Sequence, residues 1–257
     1  MGLKPTYDLL SRSGVYPLSW SLDHVGIFTR TVEDTSLVLD SLTGMNSSSH
    51  LHSEEFSPKV GIVKEYFSDV AHPEVKKGFN EVVDKIESTG DFTDFKLPHS
   101  FTAVHSAHRI IMATEAASIH ENNFLNCPSD YRINIRGMIT SGLLVPASAY
   151  LKAQRIKRLF TKELNGMMKD LDCLITPSTT TPALKGLAST GSAAFNAPWS
   201  FAGFPSITIP SGGTEGNLPL GLQLTGKPFA EEKLFKIATI FEEVINWGLL
   251  PVDPIIP

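Results

Sequence analysis

KVGIVKEYFSDVAHPEVKKGFNEVVDKIESTGDFTDFKL, residues 59–97, decides the class of fold. The apolar run at 60–63 predicts a strand. Residues 73–89 then place Val75, Phe79, Val82 and Ile86 on one helical stripe, with Pro73 suited to a first turn and Gly90 to a C-terminal stop. A second strand is predicted at 92–97. Strand, helix and strand joined by short links form a βαβ unit, whose strands pack in parallel with a right-handed crossover.

Upstream, Thr31-Val32-Glu33-Asp34 has the spacing of a capping box and opens a predicted helix that carries Val32, Leu39 and Leu42 and stops at Gly44. Residues 45–58 are rich in Ser and His without an apolar period and read as a surface loop between two lobes. Residues 2–7 read as the middle of a structured turn. Downstream, 101–124 is broken by neither Gly nor Pro, and 146–171 sets Leu151, Leu159, Phe160, Leu164, Met167 and Leu171 at helical spacing behind a proline. A last helix, 230–247, carries Leu234, Ala238, Phe241 and Ile245, gains an i,i+4 pair from Glu232 and Lys236, and stops at Gly248. Apolar strands are predicted at 173–176, 206–210 and 220–225. The whole is α/β, one domain over 1–257 with a possible sub-lobe at 59–170.

The chain has 257 residues, 42% of them hydrophobic, and a net charge of −5. A compact chain of this length buries enough surface to need neither staple nor metal. Its 22 basic residues form no run longer than Lys76-Lys77, which argues against nucleic acid or an anionic membrane as the main partner. Cys127 and Cys173 form no CxxC and no disulfide framework, so the composition points to the cytoplasm. No stretch approaches the roughly 20 apolar residues of a membrane span, and no hydrophobic signal core follows Met1.

The most unusual segment is 186–214, 29 residues without one charge. Phe195, Trp199, Phe201, Phe204, Ile207 and Ile209 lie inside it, so it folds, and its hydroxyls, glycines and aromatic side chains suit either a pocket for an uncharged ligand or a buried crossing of loops. Other candidates are thinner. His105 and His108 sit at i,i+3, but Glu115 and His120 complete no zinc pattern with them, so no metal is expected. Asp23-His24 before Gly26 reads as a turn whose aspartate satisfies backbone donors. Ser189 and Ser192 near Lys185 mimic a Ser/Lys site without an element to hold them. No GxSxG, P-loop or GxGxxG motif occurs.

GLKPTY at 2–7, SRSGVYPLSWSLDHVG at 11–26 and TRTVED at 29–34 closely resemble the amidase signature family. Later stretches agree in order: Glu115-Ala-Ala117, Tyr131 with Arg136, Tyr150-Leu-x-Ala153, residues 172–177, residues 196–212, and LPLGLQLTG at 218–226. The resemblance implies a large mixed β-sheet flanked by helices and amide hydrolysis by a Ser–cis-Ser–Lys triad without a cofactor, the lysine kept neutral by desolvation so that it can act as base, and backbone N–H groups holding the oxyanion. It places that machinery N-terminal to the position matching Gly2, so it carries no catalytic residue onto this chain. What it does imply here is the substrate side: Thr176, Pro177, Phe195, Asn196 and Trp199 approaching the acyl group of a small neutral amide. The glutamyl-tRNA amidotransferase A subunits grip glutamine with an acidic and a basic residue, and Ala193 and its uncharged neighbourhood do not supply the acid; the Glu115 and Tyr131/Arg136 pattern is more similar to general amidases. Asp8 replaces the family's usual glycine, which bears on the geometry of its turn.

The expectation is a truncated, C-terminal portion of an amidase that lacks the signature region, supplies pocket walls and is inactive alone. The alternatives are a binding or regulatory module derived from an amidase, a pseudoenzyme in effect, and an active hydrolase using Ser189 or Ser192. If the family sheet continues across the signature region, the isolated chain should self-associate or bind a complementing N-terminal fragment through an unpaired edge and an apolar face. Sedimentation and hydrophobic-dye binding check this; a monomeric chain with a cooperative melt and no dye binding would count against it.

Overall fold

The computed structural model describes residues 1–52 and 56–248. Its strands are β1 (Gly2–Lys4), β2 (Ile27–Phe28), β3 (Lys59–Ile62), β4 (Asp91–Asp94), β5 (Cys173–Pro177), β6 (Ser206–Gly213) and β7 (Pro219–Gly226). They form one sheet in the order β2-β1-β6-β7-β5-β3-β4. The pairs β3/β4 and β3/β5 are parallel, and the pairs involving β1, β6 and β7 are antiparallel. The sheet is therefore mixed, as the sequence implied. Two of its strands were not expected from the sequence: β1 lies inside the stretch read as a turn, and β2 directly after the turn at 23–26. β1 and β2 are three and two residues long, too short to show an alternation of their own; β2 pairs with β1, and β1 pairs in turn with β6, some two hundred residues away in the chain.

The helices are α1 (Val32–Thr43), α2 (Phe67–Val70), α3 (Pro73–Ile86), α4 (Val104–Asn126), α5 (Ile133–Leu143), α6 (Ala147–Met167), α7 (Ala197–Ala202) and α8 (Glu231–Ile245). The βαβ unit is present as β3-α3-β4 with parallel strands in register. At the start of α1, Thr31 Oγ1 accepts from the Asp34 N–H at 3.0 Å, and Gly44 ends the helix in the left-handed conformation at φ 76°. Glu232 and Lys236 pair on α8 at 3.3 Å. The last turn of α8 closes on Asn246 at φ 39°, two residues before the glycine that the sequence offered as a stop. The loop at 45–58 holds a short 3-10 turn, Ser48–His50, and its residues 53–55 lie outside those described.

Helices cover both faces of the sheet. On one face Leu39 of α1, Phe79, Val82 and Ile86 of α3, and Leu234, Phe235 and Phe241 of α8 pack on Leu3, Val60, Ile175, Ile207, Ile209, Leu222 and Leu224. On the other, Val104 and Ile111 of α4 and Phe160 and Leu164 of α6 enclose Phe67, Phe195, Trp199, Phe201 and Phe204 around Leu174. Phe67 lies between two partners here: its ring stacks parallel to Trp199 at 6.0 Å and meets Phe195 at 4.7 Å. Four apolar positions of the predicted stripes, Leu42, Leu151, Leu159 and Met167, are exposed instead.

Trp199 has no exposed surface. Trp199→Ala should cost about 3–5 kcal/mol, read as a lower urea midpoint with an unchanged slope.

Candidate functional site

A cavity of about 530 Å³ opens where the α4/α6/α7 layer leaves the second face of the sheet uncovered. β1 contributes Gly2 and Lys4, β6 contributes Ser206, Thr208 and Pro210, and β7 contributes Gly221 and Gln223; Ser178 and Thr179 follow β5, and Asn196 and Ser200 come from the start of α7. Alternation assigns these side chains. Along β6 and β7 the odd-even pleat sends Ile207, Ile209, Leu222 and Leu224 into the core and the polar residues between them toward the cavity.

Gln223 is 3% exposed and is bound at one end: its Nε2 donates to Thr176 Oγ1 at 3.2 Å and to the Phe195 carbonyl at 3.3 Å. Among the described residues of the cavity wall, Lys4 has the only charged side chain. Its Nζ donates to the carbonyls of Phe204 and, at 3.5 Å, Pro5. Burial pushes its amine down to about 7, partly opposed by the Glu231 carboxylate. Gly221 sits under Ser178 and Thr208, whose Oγ and Cγ2 would lie 2.5 and 2.8 Å from an added Cβ, so a larger residue there would have to displace both side chains.

The structure distributes the residues nominated from sequence between the cavity and the layer behind it. Asn196 lines the cavity and is exposed to it. Thr176 is buried one hydrogen bond behind, holding Gln223. Pro177 ends β5 as a buried residue, and Phe195 and Trp199 are wholly inside the aromatic core. The sequence does not single out Gln223 or Lys4; each lies within a longer motif, and the sheet register that turns both toward one cavity joins segments too distant for spacing to reveal. Ser189 and Ser192 lie on an exposed loop, where their Oγ atoms accept from the N–H groups of Gly191 and Ala194.

A second polar cluster gathers several resemblance motifs. Glu115 of α4 is 7% exposed, and its carboxylate accepts from Ser19 Oγ (2.6 Å), Ser21 N (3.0 Å), Ser21 Oγ (2.7 Å), Tyr150 Oη (2.8 Å) and Gln154 Nε2 (3.4 Å). Burial alone would raise this carboxyl, but the hydrogen bonds outweigh it and hold Glu115 below the usual carboxylate range. Lys157 donates to the Ser21 carbonyl, and burial lowers its pKa. Asp23 accepts from the N–H groups of Leu18 and Ser19 at 2.8 and 2.9 Å, in keeping with its place in a turn. His24 binds the Leu22 carbonyl through Nδ1, and burial pushes it down to about 4, so it is neutral at neutral pH. Asp8 adopts φ 66°, the left-handed conformation that a glycine there would supply, and its carboxylate pairs with Arg12. Arg136 donates to the carbonyls of Tyr131 and Ser129, which makes that motif a tie between a loop and α5. Among the described residues, no three His, Cys, Asp or Glu side chains form a metal cluster, and no helix is long and apolar enough to cross a membrane.

A mixed sheet between helical layers, with a cavity on one of its faces beside a charge-free segment, defines an α/β protein. The amidase family model matches residues 1–235, and the chain belongs to that family. The A subunit of glutamyl-tRNA(Gln) amidotransferase from Geobacter sp. (strain M21) is 32% identical over 97% of this chain and 60% of its own length. Its counterpart in Halothermothrix orenii is 32% identical over 96% of this chain and 61% of its own. Among solved structures, an amidase superposes with a TM-score of 0.85 at 25% identity, over 96% of this chain and 58% of that one. The A subunit of the Thermotoga maritima glutamyl-tRNA(Gln) amidotransferase gives 0.77 at 26%, over 94% and 57%. The chain thus spans about three fifths of the length of these relatives.

The depressed pKa of Glu115 fixes the sign of a pH effect. Its contribution is complete above the unfolded carboxyl value of about 4.3 and is lost as pH falls through the lower folded value. Glu115→Gln should therefore cost about 1–3 kcal/mol at pH 7, and urea titrations should show that gap closing as pH drops below about 4.

Proposed function

We propose that this chain supplies the acyl-side wall of an amide-processing site, one that cleaves a carbon–nitrogen amide bond to carboxylate and amine. The observation that carries the reading is the cavity over β1, β6 and β7, a largely apolar wall that includes Leu3, Phe28 and Leu220, set with a few hydroxyls, the carboxamides of Asn196 and Gln223, and a single lysine. Asn196 meets the substrate; Thr176, Pro177, Phe195 and Trp199 make the rigid backing that sets its position. An amide with no net charge suits such a wall, because apolar surface with a few polar groups that fix orientation favours an uncharged ligand, and burial already disfavours the charged form of its one lysine.

The attacking hydroxyl and its base come, on this reading, from polypeptide beyond these 257 residues, joined to them or supplied as a separate fragment. What supports this is that Lys4 gives its hydrogen bonds to two backbone carbonyls, while Ser189 and Ser192 are engaged in local turns on an exposed loop. The lone cysteines, Cys127 exposed and Cys173 buried, fit a cytoplasmic setting. General amidases remain the preferred subclass, since Ala193 is not the acid that a glutamine-gripping site uses.

Complementation tests the reading. The chain alone should release no ammonia from a small primary amide. Mixed with the N-terminal half of an amidase-family member it should do so, and Asn196→Ala should lower kcat/KM of the mixture by about tenfold, the worth of one hydrogen bond to substrate. Turnover by the chain alone, abolished by Ser189→Ala or Ser192→Ala, would overturn it. Ligand binding without turnover in any mixture would instead favour the binding-module alternative.

A further inference from the structure

Gln223 lies at the floor of the cavity, on β7 opposite Thr176 of β5 and Thr208 of β6. A carboxamide has two N–H hydrogens and one carbonyl oxygen. Both acceptors around Nε2 are fixed. One is a backbone carbonyl, Phe195 O, which can only accept; the other is Thr176 Oγ1. The orientation of the amide follows from chemistry, because the flipped form would set Oε1 against the Phe195 carbonyl. With both hydrogens committed, the oxygen is what Gln223 has left to offer the cavity it lines.

We propose that Gln223 is the residue that selects N–H-bearing amides, its Oε1 accepting a hydrogen bond from the substrate nitrogen. The inference rests on the amide-processing reading of the cavity and narrows it. Primary and secondary amides carry the required donor. Tertiary amides and esters of the same shape carry none, and they leave a buried acceptor without its partner, a loss that sites built to hydrogen-bond a substrate turn into discrimination. The side chain is held from behind by strand and loop at once, so it cannot turn to offer a donor without breaking both bonds to Nε2.

Benzamide, N-methylbenzamide, N,N-dimethylbenzamide and methyl benzoate are the probes, titrated into the full chain by ligand-observed NMR. Benzamide and N-methylbenzamide should bind about five- to tenfold more tightly than the other two, the range expected for one hydrogen bond. Benzamide should also shift the Gln223 side-chain NH2 resonances. Gln223→Met, which keeps length and removes the acceptor, should bind all four alike. If that variant fails to melt cooperatively, the wild-type series decides by itself. Equal affinity of the wild type for all four probes, no binding at millimolar probe, or binding that leaves the Gln223 signals unmoved would overturn the inference. The two readings fail separately. A complemented enzyme that hydrolyses N,N-dimethylbenzamide as fast as benzamide refutes the role of Gln223 and leaves amide processing intact. Selective binding with no turnover in any mixture does the reverse.

Discussion

The two-residue alternation along β6 and β7 is the constraint on which the cavity depends. Ile207, Ile209, Leu222 and Leu224 are all at zero exposure beneath α1, α3 and α8, and they can be so only if Ser206, Thr208, Gly221 and Gln223 face the other way. A slip of one residue would carry four large aliphatic side chains into the cavity and bury the polar set. Several contacts on the polar side hold the register. Ser206 and Thr225 hydroxyls meet at 3.1 Å across the pair, Gln223 bonds Thr176 on the next strand, and the Ser178 N–H reaches the Gly221 carbonyl at 3.0 Å. The same bonds that fix the strands therefore fix the chemistry of the wall, and the site inherits the rigidity of the sheet.

What the sequence showed, and what it hid, follows from how local each signal is. The β3-α3-β4 unit was legible because its strands, apolar stripe, Pro73 and Gly90 lie within forty residues and each acts on its neighbours. The helix opened by Thr31 was legible for the same reason. β1 and β2 were not, since strands this short are made by their partners and not by their own pattern. α5 and α7 escaped notice too. α7 is a turn and a half inside a segment rich in Gly, Ser and Pro, and it is held by burial of Trp199 and Phe201 more than by helix propensity. The charge-free tract posed a choice between pocket lining and buried loops, and the structure divides it. Phe195, Trp199, Phe201 and Phe204 are core, while Asn196, Ser200, Ser206 and Thr208 reach the cavity. Composition identified the region, and only three-dimensional register could sort its residues.

Carboxylates stitch the irregular segments to the elements. Asp23 caps the N–H groups of Leu18 and Ser19, Asp40 those of Ser47 and Ser48, Asp172 that of Lys59, Glu231 that of Thr6 and Glu242 that of Val32. Loops crossing a protein surface leave backbone donors that no ladder satisfies, and a carboxylate with two oxygens can satisfy two at once. Glu115 is the extreme case, collecting the 19–21 turn, Tyr150 and Gln154 from separate parts of the chain. The long N-terminal stretch between β1 and β2, which has almost no regular structure, is ordered by this charge and by Tyr7, whose ring lies 4.4 Å from the Arg12 guanidinium carbon and 5.4 Å from Lys157 Nζ. Much of the chain's acidic excess is thus engaged with backbone amides.

Lys4 shows how the proposed preference for neutral ligands is compatible with a lysine in the cavity wall. Leaving water disfavours the ammonium, and the nearby Glu231 carboxylate offsets only part of that penalty, which brings the amine to about 7. Near neutral pH it divides between two forms, both of which can donate to the Phe204 and Pro5 carbonyls. Those hydrogen bonds tie β1 to the turn that precedes β6 whichever form is present, so the fold does not depend on the charge. A ligand carboxylate would have to draw the proton back onto a buried amine whose donors are already largely engaged. An uncharged amide makes no such demand. On the proposed reading it would need only a donor and an acceptor in the right places, and the carboxamides of Asn196 and Gln223 could supply them without any change in protonation.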